Sequence, residues 1–82
     1  MRYSSREPLN SENYTNIRNK LISLRTKSNL TQRGLAKKLS VTQSYISKVE
    51  LGQRRLDILE LSKYLDVLNY SIHQFFSEID IT

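Results

Sequence analysis

Thr42, Gln43 and Ser44 follow one another directly, and Ser47 and Lys48 come shortly after. Together they offer hydroxyls, an amide and an ammonium, with no carboxylate among them. An amide such as Gln43 can hold adenine by two hydrogen bonds in a major groove. The Thr42 methyl can touch a thymine methyl, and Lys48 can reach guanine or a phosphate. Around this group stand further side chains suited to an anion: Gln32 upstream, Tyr45 within it, and Gln53, Arg54 and Arg55 after it. Such a set can hold and read a polyanion. Bond-breaking chemistry has little to work with. There is no cysteine and one histidine, His73, which leaves no nucleophile, base and orienter to combine. His73 is expected to be a satisfied or surface residue. Thiolate metal sites and disulfides are excluded, and neither an enzyme nor a cofactor is expected.

The charge distribution agrees with a polyanionic partner. The 82 residues carry +5 overall with a pI near 9.8, which alone fits either nucleic acid or an anionic membrane surface. Residues 1–55 hold twelve Lys/Arg and three Asp/Glu, a net +9. The remainder holds one Lys and five Asp/Glu, a net −4. Positive charge therefore collects on the part that contains the polar cluster. No apolar run approaches the roughly 20 residues that cross a bilayer. The polar stretch from Met1 to Asn13 does not resemble a secretory signal. These features predict a cytoplasmic protein with no membrane partner. Length allows one domain, with little chain to spare for a small-molecule pocket.

The elements that must position the cluster are helical. Residues 1–12 lack periodicity and are expected to form a flexible arm, with Arg2 and Arg6 near a phosphate backbone at most. Residues 13–82 form the domain. Tyr14, Ile17, Leu21 and Leu24 mark one face of a helix from about Tyr14 to Lys27. Ser11 or Asn13 is its cap, and Asn29 is a left-handed stop. A second helix runs from about Gln32 to Leu39 after Thr31, with Leu35, Ala36 and Leu39 inward. A third runs from about Gln43 to Glu50 after Thr42, and Gly52 stops it. At 100° per residue, Ile46 and Val49 face inward while Ser44, Ser47 and Lys48 face away. A fourth, from about Asp57 to Leu68, places Ile58, Leu59, Leu61, Leu65 and Leu68 in the core. A fifth, from about Ser71 to Ile79, carries Ile72, Phe75, Phe76 and Ile79. No segment has the alternation of a strand, so the fold class is all-α.

The segment Thr31 to Glu50, TQRGLAKKLSVTQSYISKVE, resembles the helix-turn-helix of the phage repressor and Cro class, also called XRE-like. Thr31-Gln32, Leu35-Ala36, Leu39, Val41-Thr42-Gln43, Ile46-Ser47 and Val49-Glu50 with Gly52 carry the resemblance, which extends from about Arg18 to Leu68. It implies a five-helix repressor-like bundle. It implies base contacts from Thr42, Gln43 and Ser44 and a backbone-phosphate contact from Gln32. The loop with Gln53, Arg54 and Arg55 then lies along the DNA backbone. Tyr45 fits either a phosphate contact or a shield at the core edge. The resemblance also implies a bacterial or phage-encoded, nucleoid-associated protein.

Glu50 sits at a helix C-terminus, where the backbone dipole disfavours an anion. The resemblance supplies a cationic partner from the first helix, Arg25, in a structural ion pair. Gly34 costs about 0.5–1 kcal/mol relative to alanine inside a helix, and is read as drift rather than a close approach. Phe75 and Phe76 with Ile79 and Ile81 exceed what a small core absorbs, and Ile72, Phe75, Phe76 and Ile79 form a candidate dimer interface. The reading that fits best is a sequence-specific transcriptional regulator that binds a palindromic operator in double-stranded DNA as a homodimer. Its alternative is an antitoxin-like module that grips a toxin through the C-terminal apolar surface. A general binder of anionic surfaces is disfavoured by the division of faces on the third helix.

Overall fold

Every helix begins at a side chain that replaces a missing backbone partner. Ser11, Thr31, Thr42, Asp57 and Ser71 lie in extended backbone, and each accepts a hydrogen bond from the N–H three residues on. The helices that follow are α1 (Glu12–Lys27), α2 (Gln32–Leu39), α3 (Gln43–Glu50), α4 (Ile58–Val67) and α5 (Ile72–Ser77). This computed structural model describes residues 7–81, and no strand occurs among them.

The first four helices end alike. Asn29, Ser40, Gly52 and Asn69 take positive φ values of 59°, 59°, 76° and 63°. The next N–H then reaches back five residues: Leu30 to Arg25, Val41 to Ala36, Gln53 to Lys48 and Tyr70 to Leu65. This closure satisfies carbonyls left open at the helix end and turns the chain sharply. Between α2 and α3 only Ser40 and Val41 separate the last helical residue from the next cap.

Several boundaries differ from the sequence expectation. α1 starts at Glu12, because Ser11 caps it and Glu12 complements the positive helix end. The last residues of the expected arm are therefore part of the helix start. The Glu7 carboxylate accepts from Asn13 Nδ2, and the Leu9 carbonyl accepts from Arg18. Arg2 and Arg6 lie outside the described residues. α5 stops at Ser77, before Ile79. Around Gly34, an added Cβ would meet Thr31 Oγ1 at 3.3 Å and Leu30 Cδ2 at 3.5 Å. Its neighbours are thus its own helix start, not a crossing helix.

The core joins Leu21 of α1, Leu35 and Ala36 of α2, and Ile46 and Val49 of α3. Leu61, Tyr64 and Leu65 of α4 complete it, together with Leu68 and Phe75. α3 packs on α2 and α1, and α4 packs on α2. Ile58 and Leu59 do not join them, being 62% and 70% exposed. The buried stripe on α4 runs Leu61, Tyr64/Leu65, Leu68. Leu59 lies two residues from Leu61 and so points to nearly the opposite side. Ile58 falls in the first turn, beyond the edge of the core. Tyr64 is fully buried, with a hydroxyl that has no hydrogen-bond partner among the described residues. Burial pushes that phenol far above its ordinary value.

Asp57 and Glu60 close a reciprocal capping box at the start of α4. Asp57→Ala is expected to lower stability by about 1 kcal/mol, measured by urea unfolding. An unchanged midpoint would contradict the role of the cap.

The C-terminal segment is clasped to α1. Lys20 Nζ lies 2.8 Å from Glu78 Oε1, the Tyr70 hydroxyl donates to the same carboxylate, and Asn16 Nδ2 donates to the Asp80 carbonyl. The donors from Lys20 and Tyr70 hold Glu78 at about 2, below its ordinary 4.5. A carboxyl with a lowered folded value stabilises fully above its unfolded value and loses that contribution as the pH falls towards the folded one. The clasp is therefore expected to loosen between pH 4.5 and 2. Protection of the amides at Gln74–Glu78, taken relative to their intrinsic exchange rates at each pH, should fall over that window in wild type and stay level in Glu78→Gln.

Candidate nucleic-acid interface

α3 presents two different faces because its apolar residues are three apart. Ile46 and Val49 are buried against α1 and α2. On the other side Thr42, Gln43, Ser44 and Lys48 are exposed and Ser47 is half-buried. The Thr42 hydroxyl caps the helix by accepting from Tyr45 N at 3.1 Å, which leaves its methyl available. Arg33, Lys37 and Lys38 add exposed cations on α2. The first turns of both helices thus lie at one surface with their polar side chains outward.

Beneath that surface a chain of hydrogen bonds links four residues. Arg25 Nε lies 2.6 Å from Glu50 Oε2, and Arg25 Nη2 lies 3.0 Å from Oε1. The pair is largely buried, with the Glu50 side chain 6% exposed. The carboxylate holds Arg25 above its ordinary value. Arg25 also donates to the Leu30 carbonyl at 2.7 Å, which ties the pair to the turn before α2. Gln32 Nε2 donates to Glu50 Oε1 at 2.9 Å, and Gln43 Nε2 donates to Gln32 Oε1 at 3.5 Å. Sequence reasoning brings Arg25 and Glu50 together but does not place Gln32 on them.

The loop after α3 is more engaged than its exposed basic composition suggests. The Arg54 guanidinium stacks on the Tyr45 ring at 4.1 Å and forks onto Glu60 at 2.9 and 3.3 Å. Glu60 raises Arg54, and Arg54 lowers Glu60, each by the hydrogen bond between them. Tyr45 is half-buried at the core edge, and burial raises its phenol. Arg55 lies over the Tyr14 ring at 5.5 Å, and Gln53 is exposed. Glycine suits the turn at position 52 better than a residue with a side chain. Its φ is +76°, and a Cβ there would lie 3.0 Å from the Arg18 guanidinium. Glu60 was not singled out from the sequence. The Asp57-x-x-Glu60 spacing of a capping box is the signal that marks it.

At the C-terminus the residues expected to form a dimer surface separate. Phe75 is 0% exposed and belongs to the chain's own core, so it has no surface to offer a partner. Phe76 meets it edge-on at 5.2 Å and remains 37% exposed. Ile72 and Ile79 are half-buried. Phe76 and Ile79 line an apolar groove with Tyr14, Ile17 and Ile81. No described helix is long and apolar enough to cross a membrane.

Comparison with known proteins places this geometry. A helix-turn-helix family matches residues 21–75. Among solved structures, the wild-type restriction-modification controller protein C.Esp1396I is similar. It has 28% identity and a TM-score of 0.75, with 82% of this chain and 86% of that one covered. The same protein as a tetramer in complex with its natural 35 base-pair operator matches with TM-score 0.74 at 28% identity, covering 82% and 88%. The controller protein C.AhdI from Aeromonas hydrophila matches with TM-score 0.69 at 29% identity, covering 76% and 94%. No curated protein sequence matches the chain.

Proposed function

This chain belongs to the XRE-type helix-turn-helix family, and on that premise we propose that it is a transcriptional regulator that reads a palindromic operator as a homodimer. The observation that carries the proposal is the exposed first turn of α3. Thr42, Gln43 and Ser44 stand there at the surface on a helix whose opposite face is buried. Thr42, Gln43, Ser44, Ser47 and Lys48 contact base edges, and Gln43 takes adenine. Gln32, Tyr45, Gln53 and Arg55 meet phosphates, which fix register rather than sequence. Arg54, already engaged by Glu60 and Tyr45, contributes the least of this set. The controller protein seen with its operator supports this reading by its similarity.

Pairing is supported by the apolar groove of Tyr14, Ile17, Phe76, Ile79 and Ile81, which lies off the basic face. A second copy of the chain is the occupant proposed here. The same surface supports an antitoxin-like reading with a toxin in its place. Sedimentation of the pure chain separates the two, because only self-association gives a dimer without another protein. The setting that follows is the cytoplasm of a bacterial or phage-infected cell, at the nucleoid.

Selection of bound DNA from random sequence tests the function. It is expected to return an inverted repeat whose half-sites lie about 34–36 Å apart or a multiple of that. Affinity for it should fall steeply with salt as phosphate contacts release counterions. Selection that enriches no motif would overturn the proposal.

A further inference from the structure

We propose that the Glu60 carboxylate stands in for a DNA phosphate and keeps Arg54 from the duplex, so that removing its charge adds a phosphate contact. This rests on the reading of the chain as a DNA-binding protein. The two arginines of the loop after α3 are not in the same state. Arg55 lies over the Tyr14 ring and has no ion pair among the described residues. Arg54 turns Nη1 and Nη2 onto the two oxygens of Glu60, at 3.3 and 2.9 Å, and Nη1 also donates to the Arg55 carbonyl at 2.8 Å. Two N–H groups meeting two oxygens is also the way a guanidinium forks onto a phosphate. The donors turned onto Glu60 are therefore the ones a phosphate would take.

The hold does not depend on a chance meeting of two long side chains. Glu60 Oε1 also accepts from Asp57 N at 2.9 Å in the capping box, so the first turn of α4 fixes the carboxylate. On the other side the Tyr45 ring centre lies 4.1 Å from the guanidinium. Tyr45 directly follows the exposed Ser44 on α3, which brings the stack to the edge of the proposed base-reading turn. Arg54 is thus placed beside the duplex and neutralised there. The two side chains remain 35% and 31% exposed, so a phosphate can reach them. An ion pair at that exposure is weak and screened by salt. Because a phosphate contact carries no sequence information, Glu60 lowers the hold on DNA of every sequence alike.

The test is a salt series with a fluorescently labelled random-sequence duplex and four forms of the whole chain: wild type, Glu60→Gln, Arg54→Ala and the two combined. Glu60→Gln removes the charge but keeps an oxygen for the Asp57 N–H, so α4 retains its cap. One added phosphate contact steepens the fall of log affinity with log salt by about 0.9. Glu60→Gln is therefore expected to bind more tightly at low salt and to lose about 3.5-fold more affinity than wild type over a roughly fourfold rise in salt. In the Arg54→Ala background the same substitution is expected to leave the slope where it was. A slope that steepens equally with and without Arg54 would trace the effect to the general field of the chain and overturn the proposal. So would an unaltered slope in Glu60→Gln. If wild type binds no duplex of any sequence, the reading as a DNA-binding protein fails, and the proposal with it.

Discussion

Arg25→Ala is expected to lower the stability of the folded chain by about 1.5–3 kcal/mol, the cost of removing charge-assisted hydrogen bonds from the Glu50 carboxylate. Folded domains hold only about 0.05–0.15 kcal/mol per residue, so this substitution removes a large part of what an 82-residue chain has. Glu50 is then stranded at a helix C-terminus, where the dipole opposes its charge and Gln32 is its remaining donor. Glu50→Ala costs somewhat less, because Arg25 keeps the Leu30 carbonyl. Removing both charges leaves neither unpaired, so the double variant loses clearly less than the two single losses combined. Urea unfolding of the three variants measures this. Additive losses would contradict the coupling.

Phe75→Ala costs about 3–5 kcal/mol, as expected for a large aromatic ring removed from a core that cannot collapse to fill the space. Phe75 is fully buried, and it is the one buried residue of a six-residue helix. A helix that short has no stability of its own. Removing its anchor therefore releases the C-terminal segment as well, including the Lys20–Glu78 clasp. Phe76→Ala, at a half-open position on the apolar groove, is expected to change monomer stability much less and to weaken self-association instead. Equal losses from the two substitutions would show that the neighbours had been assigned to the wrong environments.

Local chemistry made α2, α3 and the turn between them legible in the sequence. Thr31 and Thr42 are caps of a kind that the backbone demands, and Leu35, Ala36, Ile46 and Val49 keep helical spacing without ambiguity. The C-terminal half was harder. Ile58 and Leu59 are as apolar as Leu61, and only the packing of α4 decides which of them reach the core. Phe75 and Phe76 are adjacent and chemically identical, so composition cannot say which one turns inward. In the candidate site, the residue types on α3 could be read from their period. The partners of Gln32 and Arg54 could not, because both side chains are long and their contacts, Glu50 and Glu60, depend on how separate elements meet. A basic residue in a polar loop looks available for DNA until its carboxylate neighbour is known.

On the proposed reading, the first turn of α3 contacts bases, and selection of bound DNA carried out in parallel with wild type and Gln43→Ala tests this. Wild type is expected to return an inverted repeat with adenine fixed at one position in each half-site. Gln43→Ala should return the same repeat with that position, and its mirror image, degenerate. An unchanged adenine preference in Gln43→Ala would show that Gln43 does not read that base.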